Sequence, residues 1–289
     1  MARSTQKDRG RPNNYLLIIL DSCRYDSFVS ARPRVMSRLG KVEARWSYAS
    51  WTAPSLYNFL MGLMPHVSPK RTFAADYYRK DLARYSERLG VAGIRWESLV
   101  PKLNLPYFLK TSLDYQTHAM VSLPVVNPST LLNYGFDTFR LMEKHNDMRA
   151  MLKLLKFSSK RPAFYLLNVG ETHYPYSLPG EPPELWPKLH GVHGVFKHLD
   201  DPSAGRSAAD AGRSFFNPRQ MKELRRRQIE AVVYLDRVMA DLFALVPDNT
   251  YITITADHGE LFGERGYFGH GPINHPKVFE VPFVEGRPR

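Results

Sequence analysis

The chain has 289 residues, 43% of them hydrophobic, enough for a substantial core and for one large α/β domain. Its formal net charge of +12 points to anionic partners: nucleic acid, acidic lipid surfaces or phosphorylated substrates. Its apolar runs are far too short to span a bilayer, and a single cysteine, Cys23, excludes an internal disulfide.

Residues 1 to 12 are basic and lead into no apolar signal segment, since Leu16 to Leu20 is short and runs straight into Asp21. They read as a flexible basic tail, and the protein is expected to be cytoplasmic. Tyr15-Leu-Leu-Ile-Ile-Leu-Asp21 is a continuous apolar run of the kind that forms a strand buried on both faces. Ser22 to Leu39 then reads as a turn and a short helix. At Thr52-Ala-Pro54-Ser55 a helix is expected to begin, with Thr52 suited to its cap and Pro54 in its first turn.

Asp81 to Leu89 reads as a helix stopped by Gly90, and Val91 to Val100 as a strand. Pro101 to Asp137 is rich in Pro, Asn and Ser and is expected to form loops over a site. A helix over His145–Lys156 and a buried strand over Ala163–Val169 follow, the strand ending at Gly170-Glu-Thr-His173-Tyr-Pro175-Tyr176. Asp200 to Ser214 reads as a mobile loop. Pro218 to Leu245 reads as a long helix, with Ile229, Val232, Val233, Met239, Leu242 and Phe243 as its apolar stripe. Within it, Arg225-Arg226-Arg227 fits a solvated face, and no zinc-finger, helix-turn-helix or aromatic RNA-binding pattern is evident, so nucleic acid is not the expected partner. The last strong strand is Tyr251-Ile-Thr-Ile-Thr-Ala-Asp257. Strands alternating with helices predict a three-layer α/β/α sandwich with a mainly parallel central sheet.

In such sheets ligands bind beyond the carboxyl ends of the strands. Two strands that both end in Asp, the second followed by His258, therefore place oxygen and nitrogen ligands at one edge, where a divalent cation is usually held. As metal ligands these strand ends single out Asp21, Asp257 and His258. The imidazole tilts the metal toward Mn²⁺ or Zn²⁺ over Mg²⁺ or Ca²⁺. The glycines flanking His270 would let backbone approach a ligand closely. His118 and His275 read as surface residues, Asp114 to His118 is not expected as a second metal site, and Cys23 reads as inert packing. Arg24 and Asp26 are expected to brace the first loop.

These residues, in this order, resemble the sulfatase-like branch of the alkaline phosphatase superfamily. Asp21-Ser-Cys-Arg24-Tyr-Asp26 is similar to its first metal strand and following turn, and Trp51-Thr52-Ala-Pro54-Ser55 through Gly62-Leu-Met-Pro65 to its nucleophile segment. His173-Tyr-Pro175-Tyr176 resembles its His-x-Pro-Tyr loop, Ala256-Asp257-His258-Gly259-Glu260 with Gly269-His270-Gly271 its late metal motif, and Val278-Phe-Glu-Val281-Pro-Phe the strand after it. The resemblance implies an alkaline-phosphatase-like fold and a single catalytic domain over 13–289. It also implies a hydrolase or phosphotransferase acting on an anionic ester through a covalent intermediate, with Thr52 joining Asp21, Asp257 and His258 as a metal ligand and with Thr52, His173 and His270 as the catalytic residues.

Two departures shape that expectation. Sulfatases carry a Cys or Ser that becomes formylglycine, with an Arg four residues on; here Thr52 and Leu56 stand there. Ser22 replaces a second Asp. An unmodified threonine nucleophile favours a phosphate or phosphonate ester and a phosphothreonine intermediate. The alternatives are a sulfatase working without formylglycine and a non-catalytic anion-binding protein of the same fold. Specificity is expected in 101–137 and 179–214, and nothing in the sequence assigns an oligomeric state.

Overall fold

The computed structural model of the protein describes residues 12–67, 104–189, 216–271 and 273–288. The helix expected over 81–89, the strand over 91–100 and the loop over 200–214 lie outside them. Strands β1 (Asn14–Leu20), β2 (Glu43–Trp46), β3 (Gln116–Val121), β4 (Thr138–Leu141), β5 (Ala163–Val169), β6 (Thr250–Thr255) and β9 (Glu280–Gly286) form one sheet in the order β2-β9-β6-β1-β5-β3-β4. From β6 through β4 every pairing is parallel; β9 runs antiparallel to both β6 and β2. Short strands β7 (Leu261–Phe262) and β8 (Phe268–Gly269) pair separately.

Both faces of β1 are covered, which is why its sequence is apolar without alternation. Leu16, Ile18 and Leu20 face a core that includes Val232, Leu235, Met239 and Leu242 of the long helix α5 (Pro218–Leu245). Leu17 and Ile19 face the opposite core, with Leu56, Phe59 and Leu60 of α2 (Thr52–Leu60). The remaining helices are α1 (Tyr25–Ala31), α3 (Leu105–Leu113), α4 (Met148–Leu152) and α6 (Pro276–Phe279). The three-layer, mainly parallel architecture follows, and none of the described helices is long and apolar enough to cross a membrane.

The structure corrects the sequence reading in four places. The segment expected as loops holds α3 and then β3, which pairs with both β4 and β5 inside the sheet. Gln116, Thr117 and His118 interrupt the apolar run of β3, and its outer half is only partly buried, so the usual signal is diluted. The helix expected over His145–Lys156 contracts to α4. The buried stripe of α5 is turned toward Leu224, Gln228, Ala231, Leu235 and Val238, leaving Ile229, Val233 and Phe243 half-buried. Finally, the arginine run is only partly a free face: Arg227 pairs with Glu181 at 2.5 Å, and Arg226 pairs with Glu223 at 2.6 Å and with Glu230. Asn217 caps α5 by accepting from Arg219 N at 2.9 Å, with Pro218 in the first turn.

A buried carboxyl supports the start of α4. Glu171 Oε1 accepts from Met148 N at 2.8 Å, while Oε2 has no hydrogen-bond partner. Burial, the dominant influence, pushes its pKa up to about 7. A carboxyl that holds its proton longer when folded loses stability as pH rises from its unfolded pKa, ~4.3, toward that value. Glu171→Gln is expected to flatten that fall, on the order of 3 kcal/mol across the window. Denaturant melts at pH 4.5, 6 and 7.5 read it, and parallel curves for the two proteins would refute it.

Candidate active site

The carboxyl ends of β1, β5 and β6 meet where the sheet's central parallel strands stop. Asp21 N donates to Val169 O at 2.9 Å, extending the β1–β5 ladder by one residue. The chain then turns at Ser22, whose φ of 59° lies in the left-handed region. That turn aims Ser22 N at Asp257 Oδ1, 3.0 Å away, and lets Ser22 Oγ donate to Asp21 Oδ1 at 3.1 Å. Asn168, near the end of β5, donates to Asp21 Oδ2 at 2.8 Å. From α5, the buried Gln228 amide donates to Ser22 O at 2.9 Å and Thr172 O at 3.1 Å, fixing both loops.

Asp257 Oδ1 also accepts from His258 N at 2.9 Å. Its Oδ2 accepts no hydrogen bond, although His258 Nε2 stands 3.3 Å away. His258 Nδ1 lies 2.9 Å from Gly259 O, an acceptor only, so Nδ1 carries a proton. Gly259 must be glycine: a Cβ there would come within 2.1 Å of Lys277 O. Asp21, Asp257 and His258 are all 0% exposed, and each offers one ligand atom in a set spanning no more than 4.8 Å.

The charges interlock. Burial and then the nearby Asp257 raise the Asp21 pKa to about 6. Burial also works to raise that of Asp257, but the charge and hydrogen bond of His258 outweigh it and hold Asp257 low. For His258, burial opposes the charged form, yet Asp257 and Asp21 prevail and lift its pKa to about 9. The two carboxylates thus make the pocket strongly favourable to positive charge, and His258 would ligate a cation through a deprotonated Nε2.

Thr52 is the first residue of α2 and is buried. Its Oγ1 lies 3.5 Å from each Asp21 oxygen and 3.3 Å from His258 Nε2. It does not cap the helix. Trp51 occupies the cap position, in extended conformation and with no side-chain cap bond, so the hydroxyl is turned into the site. Ser55 anchors this helix start to the metal strand, donating to Asp257 O at 2.8 Å, and Ser47 Oγ donates to the same carbonyl.

The two remaining histidines complete the pocket. His173 Nδ1 lies 2.7 Å from Tyr174 O, so it holds the proton, and the buried Nε2 has no hydrogen-bond partner. The ring of His270 lies 4.2 Å from that of His258 and 5.6 Å from that of His173. Burial and then the His258 charge push the His270 pKa down to about 4, leaving it neutral at pH 7. Its flanking glycines serve conformation, with φ of 89° at Gly269 and 111° at Gly271, where close approach was expected; a Cβ on either would meet nothing within 4 Å.

All the residues singled out in the sequence therefore converge. Arg24 ties the first loop to the late motif, donating to Asp26 Oδ2 at 2.6 Å and Glu264 Oε1 at 2.6 Å. Asp114 and His118 stand apart: Asp114 pairs with Arg161 at 2.8 Å, and His118, half-buried rather than on the surface, bonds Thr138 at 2.8 Å and stacks on Tyr165. His275, also half-buried, caps α6 by accepting from Lys277 N at 3.1 Å. Cys23 is buried and its thiol pKa is raised, chiefly by burial.

Residues 13–285 match the sulfatase family over nearly the whole chain. The chain belongs to the sulfatase family. Its fold is shared with the C-terminal periplasmic domain of EptC from Escherichia coli in complex with Zn, at 12% identity and TM-score 0.53, covering 98% of this chain and 75% of that one. A protein in the alkaline phosphatase superfamily from Vibrio parahaemolyticus matches at 14% identity and TM-score 0.52, over 97% of this chain and 62% of that one. The soluble domain of lipooligosaccharide phosphoethanolamine transferase A from Neisseria meningitidis matches at 10% identity and TM-score 0.57, over 97% and 78%. No curated protein matches in sequence. This member of the sulfatase family is a sulfatase-like enzyme.

The residues of this sulfatase-family site fit a divalent cation. Two carboxylates and an imidazole converge, and Asp257 Oδ2 is a buried acceptor without a hydrogen-bond donor among the described residues. Sequence reasoning missed Asn168, Gln228 and Ser47, polar groups that hold ligands or loops from distant segments. A polar residue inside the buried run of β5 was the one available signal for Asn168.

Proposed function

We propose that the enzyme hydrolyses or transfers a phosphate or phosphonate ester, with Thr52 as nucleophile and a phosphothreonine intermediate. The observation carrying this reading is the Thr52 hydroxyl, released from helix capping and set 3.3 Å from His258 Nε2 and 3.5 Å from Asp21. Asp21, Asp257, His258 and the Thr52 oxygen would hold one divalent cation, Mn²⁺ or Zn²⁺ by the mixed oxygen and nitrogen donors. Bound there, it supplies Lewis-acid charge that acidifies a neighbouring hydroxyl and offsets the ester's negative charge.

The chain's own groups do the rest. Thr52 Oγ1 forms the new bond to phosphorus as the bond to the leaving oxygen breaks. Nε2 of His173 or His270, bare because Nδ1 holds the proton, takes the proton Thr52 gives up and returns it to the leaving oxygen. Water or an acceptor alcohol then attacks phosphorus as the bond to Thr52 Oγ1 breaks, giving its own proton to the same nitrogen, which passes it to the departing Thr52 oxygen.

Assaying nitrophenyl phosphate, bis-nitrophenyl phosphate and nitrophenyl sulfate with Mn²⁺ or Zn²⁺ tests the substrate class. A phosphoryl ester is expected to turn over at least ~10-fold faster than the sulfate, a difference of about 1.4 kcal/mol in barrier. Turnover of the sulfate alone would assign a formylglycine-independent sulfatase. Binding without turnover of any ester would assign an anion-binding protein.

A further inference from the structure

Glu260 takes no part in the chemistry above, yet it is 1% exposed and both its oxygens are engaged. Oε1 faces His270 Nδ1 at 3.2 Å, and Oε2 accepts from the hydroxyl of Tyr176. With the Tyr176 hydroxyl donating to Oε2, Oε1 is left as an acceptor aimed at the His270 ring. An ionised carboxylate only accepts, so the proton on His270 must sit at Nδ1 and Nε2 must present its lone pair.

Beyond this contact the ring is held by packing against the rings of His258 and His173. Its chain neighbours are glycines in the left-handed region, and β8 ends at Gly269. Tyr176, by contrast, is a rigid post: buried, and packed among Tyr174, Leu224 and Phe262. It belongs to the loop after β5, whereas His270 belongs to the loop after β6. One carboxylate therefore connects the two segments that carry His173 and His270.

We propose that Glu260, anchored by Tyr176, is a positioning residue that sets the Nδ1–H tautomer of His270 and directs its Nε2 at the reacting atoms. The inference rests on the proposed proton-carrying role of His270, and Glu260 itself touches no substrate. Buried carboxylates that orient a functional imidazole commonly affect activity 10- to 100-fold.

The test is Glu260→Gln, of nearly the same volume, read by ¹⁵N–¹H correlation of the His270 ring and by kinetics. With Tyr176 still donating to the amide oxygen, the Gln NH₂ faces Nδ1 and is expected to drive the proton to Nε2. The kcat on the preferred ester should fall ~100-fold with KM changed less than about threefold. Tyr176→Phe keeps the anion, so the wild-type tautomer should persist with a loss of only ~3- to 10-fold. In a His270→Ala background, adding Glu260→Gln should cost less than about twofold, because the residues act as a unit.

Nε2–H in the wild type, an unchanged tautomer in Glu260→Gln, or multiplying losses in the double variant would each overturn the proposal. A His270→Ala enzyme as fast as wild type would instead remove the proton-carrying role of His270, and the ring spectra would still decide whether Glu260 sets its tautomer.

Discussion

Thr52→Ala is expected to lose turnover by on the order of 10⁴-fold, as enzymes do when a nucleophile is removed, while folding as wild type does and keeping Asp21, Asp257 and His258 for the cation. The hydroxyl's surroundings make the expectation specific. It is held among Asp21 and His258, and Trp51, not Thr52, is the helix cap. A capping threonine replaced by alanine costs about 1 kcal/mol of stability; here that loss should be absent, because α2 surrenders no cap bond. Thr52→Ser retains a hydroxyl and should stay within about tenfold of wild type. Quenching the wild type with substrate and mapping its peptides by mass spectrometry should place a phosphoryl group on Thr52. A destabilised alanine variant that keeps full turnover would return Thr52 to a structural role.

Asp257→Asn is the second large effect. Asp257 Oδ1 is fully occupied by Ser22 N and His258 N, so Oδ2 is the oxygen left for a cation. The amide can reproduce the Oδ1 contacts, but it places a neutral group where Oδ2 stood. Hard and borderline divalent cations depend on ligand charge. Cation affinity should fall by at least ~100-fold and kcat/KM with it. Elemental analysis of gel-filtered protein should find about one cation per chain in the wild type and almost none in the variant. Chelator should silence the wild type and change nothing further in Asp257→Asn. An equally loaded variant would move the cation elsewhere.

What the sequence made legible follows from how burial writes itself into composition. β1, β5 and β6 are covered on both faces, so their apolar runs stand out and their terminal carboxylates are conspicuous. β3 also lies inside the pairing order, between β5 and the edge strand β4, but it carries Gln116, Thr117 and His118 on a half-covered stretch, which dilutes its apolar pattern. Within the site, Asp21, Asp257 and His258 announce themselves by ending strands. Their supporting groups do not: Asn168 reaches Asp21 across 147 positions, and Gln228 reaches Ser22 across 206. A hydrogen bond between distant segments leaves no periodic trace in either. Thr52 stands out through the likeness of its segment to a nucleophile segment; only its expected role as helix cap is revised, since its side chain caps nothing.

The pairing order has a consequence for how the enzyme is made. β1 emerges early, yet its two neighbours are β5 and β6, which begin at Ala163 and Thr250. At roughly 5–20 residues per second of synthesis, a fully apolar strand waits unpaired for roughly ten seconds or more before its first neighbour exists, and longer for its second. Such a strand is a template for the wrong partner in the interval. A chain stopped short of Thr250 would carry that bare edge permanently and should aggregate, so the later strand protects the earlier one.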